Sequence, residues 1–210
     1  MRNKSDEPSS SWGKLSRLLA ALLAASLLQG CGALVVGGIA AGAVVIHDRR
    51  DEQTLLDDQK IELMAAGIFN KYPDLRKECR IATTSYNLVV LLTGQCATQS
   101  SADDFAEKVS RLPKVRRVVD EVTIGPFASL ARESEDALIT SRAKLAVAQV
   151  DRKDFDATRV KVVTESGIVY LMGLVTPAEA EAVVEKVRYV PGVTKVIKVF
   201  EYIQPTSKHT

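Results

Sequence analysis

The chain has 210 residues, with 28 Lys and Arg against 26 Asp and Glu and a formal net charge of +2. So mild a balance argues against bulk nucleic-acid binding. Only two histidines occur, His47 near the start of the polar sequence and His209 at the extreme end. Neither can be fixed inside a fold to serve a Ser-His-Asp or Cys-His centre or a His-rich metal site. No Gly-rich phosphate loop of either common spacing appears, so no catalytic residue, metal or cofactor is expected.

Lys14 and Arg17 precede a run from Leu18 to Ile46 without a charged residue. A stretch that long could span a membrane as a helix. Its second half, however, is crowded with Gly30, Gly32, Gly37, Gly38 and Gly42, and glycine is a poor helix former. A positive start, an apolar middle and a small residue before a cut are the layout of a secretory signal. Here the cut would fall before a cysteine, in Leu28-Gln29-Gly30-Cys31. This run resembles the lipobox of bacterial lipoproteins. The resemblance implies a signal peptide over 1–30, lipid on the Cys31 thiol and an acylated new amino terminus. Residue 32 is Gly rather than Asp, which by the same resemblance implies the outer membrane, on its periplasmic side. Residues 31–52 then read as a lipidated apolar tether with the polar end Asp48-Arg49-Arg50-Asp51-Glu52.

Beyond the tether the chain repeats itself. Asn87-Leu88-Val89-Val90-Leu91-Leu92-Thr93-Gly94 matches Ser166-Gly167-Ile168-Val169-Tyr170-Leu171-Met172-Gly173, 79 positions on. Leu112-Pro113-Lys114-Val115 matches Val190-Pro191-Gly192-Val193 at 78. Two copies at so long a period mean two like domains rather than a solenoid. Each copy reads helix, strand, strand, helix, strand. The first leading helix spans about Thr54 to Lys71, with Ile61, Met64, Ala65, Ile68 and Phe69 at core spacing. Its Asp57, Asp58 and Glu62 read as a solvated acidic face, repelled by anionic lipid. Ser101 precedes the stripe Phe105, Val109, Leu112, and a valine-rich strand runs from Val115 to Ile124. Gly125-Pro126 opens a linker reaching about Glu135.

The second leading helix is expected from about Asp136 to Val150, with Ile139, Ala143, Ala146, Val147 and Val150 inward. A second stripe remains on it: Leu138, Arg142, Leu145 and Gln149, with Lys144 beside it and no acid between Ala137 and Gln149. Outward leucines with Arg and Lys are the pattern of a helix lying on a bilayer. The same leucines could instead pack against the first domain. Arg159 to Thr164 and Ile168 to Met172 flank Glu165-Ser166-Gly167 as a hairpin. Thr176-Pro177-Ala178-Glu179 is a capping box opening a last helix. A final valine-rich strand runs from Val193 to Ile203, and 205–210 reads as a disordered tail.

The doublet resembles the BON domain, a small αββαβ module of bacterial envelopes. The matching features are the hairpin Gly167, the strand-ending Gly94 and Gly173, and the Pro-x-Val turn into the last strand. The first copy departs from the pattern, with Leu88 at the hairpin glycine's place. A lipobox ahead of two copies resembles the dual-BON outer-membrane lipoproteins. The implied fold class is α+β, two αββαβ units in tandem, each packing helices on a small three-stranded mixed sheet. Their expected limits are 53–125 and 136–204, with a linker over 126–135. The resemblance implies a non-catalytic protein that binds phospholipid and supports outer-membrane integrity. The basic second helix makes Leu138, Arg142, Lys144 and Leu145 the candidate contacts to anionic phospholipid. An adaptor for an outer-membrane assembly machine is the alternative, with a lone edge strand or the Val/Ile-rich final strands as its contact.

Cys79 and Cys96 remain once Cys31 is assigned to lipid. Mapping the second hairpin onto the first sets them opposite each other, within disulfide reach in an oxidising compartment. A register slipped by one residue would leave two free thiols.

Overall fold

A computed structural model of the chain describes residues 48–204. Cys31, the expected signal peptide, most of the expected tether and the expected tail over 205–210 lie outside the described residues. The first half of the body runs α1 (Glu52–Lys71), a short α2 (Pro73–Glu78), β1 (Cys79–Tyr86), β2 (Val89–Cys96), α3 (Gln99–Ser110) and β3 (Arg117–Ile124). The second runs α4 (Leu130–Ala148), a 3-10 turn (Ala157–Arg159), β4 (Val160–Glu165), β5 (Ile168–Val175), α5 (Pro177–Val187) and β6 (Lys195–Tyr202). Each sheet is three-stranded, its middle strand antiparallel to the first and parallel to the third. The fold class is α+β, two αββαβ units in tandem.

Local chemistry sets the helix starts. Asp51, Thr98, Ser129 and Thr176 each accept a hydrogen bond from a backbone N–H in the first turn of the helix they precede. Thr176 and Glu179 complete the capping box read from the sequence. The paired glycines are also explained. A Cβ at Gly94 would lie 2.0 Å from the Arg80 carbonyl oxygen, and one at Gly173 2.5 Å from that of Arg159. Each glycine lets the middle strand pass close under the hairpin's first strand.

Alternation along the strands divides each sheet into two apolar faces. One face meets the helices: Val90 and Leu92 with Ile61, Ala65 and Phe105, and Val169 and Leu171 with Ile139, Ala143 and Val183. The other faces the opposite sheet. Tyr86, Val89 and Leu91 pack with Tyr170, Met172 and Val199 in one buried cluster. The body is therefore four layers, helix, sheet, sheet, helix. Burying each such side chain is worth about 1.5–3 kcal/mol, so the two units are docked through their sheets rather than swinging.

Three expectations are corrected. The second leading helix begins at Leu130, six residues before Asp136, because the Ser129 side chain accepts from Arg132 N at 3.2 Å and starts the helix there. Most of the expected linker is thus helix. The acidic side chains of α1 are not a solvated face, since Asp57 and Asp58 are buried. Finally, residues 48–52 are not the free end of a tether. They belong to the folded body, for reasons given below.

Candidate lipid-binding surface

α4 lies in the outer layer. Ile139, Ala143 and Val147 point into the core, so the opposite side of the helix is solvent-facing. Leu138 is 50% exposed and Leu145 64%. Arg142 and Lys144 are exposed beside them. The two leucines do not pack against the first unit, whose contact with the second runs through the sheets. All four candidate residues therefore share one open surface. The earlier helix start adds Leu130, 81% exposed and eight residues before Leu138, from within the expected linker. Its signal was present in Ser129, a good N-cap residue four positions ahead of Glu133.

α1 also presents leucines, Leu56 (49%) and Leu63 (75%). The difference lies in the cations. Lys60 on α1 is held by Asp57 at 3.5 Å. Arg142 and Lys144 have no anionic partner among the described residues. A basic side chain already neutralised by a neighbour offers little to a phosphate; an unpaired one beside exposed leucine offers both attractions at once.

The buried acids of α1 have a structural role. Asp58 accepts from the backbone N–H of Asn87 and of Leu88, each at 2.8 Å, and from the Ser85 hydroxyl at 2.6 Å. Asn87 and Leu88 form the β1–β2 turn with φ of 52° and 64°. Asp136 does the same in the second unit, accepting from Ser166 N at 2.7 Å and Gly167 N at 2.8 Å. The carboxylate fixes both turns, and in the first it holds a leucine where glycine would be easier. Asp57 accepts from Lys114 at 2.5 Å, and that hydrogen bond holds its carboxyl below the usual carboxylate range.

The segment 48–52 is fastened across both units. Arg49 forms a two-pronged pair with Glu179 at 2.8 and 2.9 Å and donates to the Leu174 carbonyl at 2.7 Å. Arg50 stacks on the Tyr86 ring, 3.8 Å from its centre, and pairs with Asp48 and Asp58 at 2.7 Å each. Burial would raise the Glu179 carboxyl, but the bonds from Arg49 and from the Thr176 backbone outweigh it and lower it. Burial pushes the Tyr86 hydroxyl up to about 12, so it stays protonated and donates to the Arg159 carbonyl at 3.1 Å. Cys79 and Cys96 are register partners with Cα atoms 4.1 Å apart, and their sulfurs are bonded. The bridge lies on the helix side of the first sheet, against Ala102 and Phe69.

A family description, BON domain, matches residues 57–126 and again 135–204. The chain belongs to the BON-domain family. Each BON domain takes in one sheet and its helices, and the outer face of α4 belongs to the second. Outer membrane lipoprotein DolP of Haemophilus influenzae is 38% identical over 186 residues, 88% of this chain and 95% of that protein. A 21 kDa hemolysin of Actinobacillus pleuropneumoniae is 36% identical over 157 residues, 75% of this chain and 80% of that protein. The chain is thus a DolP-like, dual-BON protein. Among solved structures, CdsD, a structural protein of the type III secretion system of Chlamydia trachomatis, is 14% identical. It has a TM-score of 0.29 over 71% of this chain and 65% of that one, too low to carry an argument. Among the described residues no helix is long and apolar enough to cross a membrane.

Proposed function

We propose that this protein is a non-catalytic outer-membrane lipoprotein, anchored through Cys31 and facing the periplasm. Its second BON domain binds anionic phospholipid and so supports the integrity of that membrane. The DolP relative, similar over nearly its whole length, supports the compartment and the anchor. The observation that carries the binding surface is the outer face of α4: Leu138 and Leu145 stand exposed beside two cations that no acid neutralises among the described residues. Leucine entering the bilayer boundary while Arg142 and Lys144 meet phosphates would give a reversible second attachment.

The test is co-sedimentation of a soluble form without Cys31, beginning at residue 47, with phosphatidylglycerol or phosphatidylcholine vesicles. The parent is expected to sediment with the anionic vesicles and much less with the neutral ones. Leu138→Glu with Arg142→Glu should weaken that binding at least tenfold, while Leu56→Glu with Leu63→Glu leaves it near the parent. If the α4 pair binds as well as the parent, the surface is misassigned. If the α1 pair alone abolishes binding, the first domain carries it.

A further inference from the structure

We infer that the open edge of β1 is a strand-addition site for an extended protein segment that alternates apolar and basic side chains. Among the described residues β1 is an edge strand, paired only with β2. Its hydrogen-bonding parity is fixed at both ends. Ala97 N donates to the Glu78 carbonyl, which places residues of even number on the β2 side. Cys79 N donates back to Leu75 O and Ser85 N to Glu62, so odd-numbered residues turn their polar groups outward. At Ser85 those groups are occupied, the N–H by Glu62 at 2.8 Å and the carbonyl by Lys161 at 3.4 Å. Nothing among the described residues bonds the carbonyl of Cys79, or the N–H and carbonyl of Ile81 and Thr83. Natural edges are normally blunted, because such a row is a template for another strand. This one is blunted at Ser85 and left open before it.

The open stretch borders a groove of about 910 Å³. One wall is α1, with Ala66 and Phe69; the other carries Glu133 of α4 and Glu165 of β4. Neither of these carboxylates has a cationic partner among the described residues. Burial raises the Glu165 carboxyl, which accepts from the Gln95 amide at 2.6 Å and from the Ser166 hydroxyl at 3.5 Å. A cation would relieve that desolvation. Arg76 of α2 and Arg80 of β1 also line the groove, and Arg80 lies over the Phe127 ring at 5.0 Å. Side chains of an added strand alternate between its two sides. Apolar ones would meet Ala66 and Phe69, and Lys or Arg would meet Glu133 and Glu165. Main-chain bonds to Ile81 and Thr83 would supply affinity, and these two walls the selectivity.

The experiment uses the full lipidated chain in phospholipid nanodiscs and the peptide Val-Lys-Val-Arg-Val, with Val-Glu-Val-Glu-Val as its counterpart. Amide exchange over residues 79–86 should slow at least fivefold with millimolar basic peptide and remain unchanged with the acidic one. Glu133→Lys, at an exposed position, should weaken the basic peptide at least fivefold. Thr83→Pro should remove binding. An edge strand tolerates proline where the N–H faces outward, and an unchanged melting temperature would verify the fold. Equal protection by both peptides, no protection by either, or undiminished binding to Glu133→Lys would each overturn the inference.

Discussion

Asp58 and Asp136 do the same job 78 positions apart. Each is buried under a hairpin turn and accepts both backbone N–H groups of its two central residues. Hydrogen bonds to a charged acceptor contribute about 1.5–3 kcal/mol, and donors stranded in a core cost a comparable amount. Asp136→Ala should therefore lower unfolding free energy by about 2–4 kcal/mol in urea titration. Asp58→Ala should cost more, because it also abandons Arg50 and leaves Leu88 unsupported at positive φ. A loss below about 1 kcal/mol in either would mean that the turns hold themselves. The sequence made these residues look ordinary. Acids on an amphipathic helix usually face water, and the turn that Asp58 holds is 30 residues away. The repeat did contain the clue. Ile61 with Ile139 and Ala65 with Ala143 keep the same offset of 78, so an aspartate preserved one turn before each pair marks a shared inward role.

Among elements, the hairpin of β1 and β2 and the helix α4 were legible to different depths. The offset of the repeat placed Cys79 against Cys96 because strand register follows from a two-residue turn. The bridge closes a loop with a sequence separation of 17, for which chain entropy gives about 3 kcal/mol. Cys79→Ser with Cys96→Ser should then lose about 2–4 kcal/mol, with the first BON domain affected more than the second. Reduction of the oxidised protein should add 2 Da in intact-mass analysis, as it must for any single disulfide. A double serine variant as stable as the parent would show that the helix packing of Phe69 and Ala102 suffices without the bridge. In α4 the inward stripe was legible from spacing, but the helix start was not. Gly125-Pro126 suggested a long linker, whereas Ser129 caps the helix only three residues beyond that proline. Helix α2 was missed for a related reason. Its six residues are too few to show a period, and Pro73 at its first turn reads equally as a loop.

At the scale of the whole molecule, the two sheets share one apolar core, and residues 48–52 tie the entrance of the chain to both domains. Arg50 is held by the first domain through Asp58 and Tyr86, Arg49 by the second through Glu179. No periodicity could announce this, since an Asp-Arg-Arg-Asp run after an apolar segment looks like a solvated end. Glu179 makes the fastening titratable. Its carboxyl is lowered from 4.5 in the folded protein, so its contribution to stability is complete above that value. The contribution fades as pH falls below 4.5 and through the folded value, where both states are protonated. Glu179→Gln isolates it, because glutamine retains the capping box with Thr176 while removing the charge opposite Arg49. At pH 7 the variant should be less stable than the parent and exchange amides faster over residues 48–52. The gap should narrow steadily below pH 4.5 and close in stronger acid. Arg49→Ala should show the same convergence, and combining the two should cost less than their sum, because each removes one half of the same pair. A gap that stays constant from pH 7 to pH 3 would mean that the Arg49–Glu179 contact does not hold the entrance segment in solution.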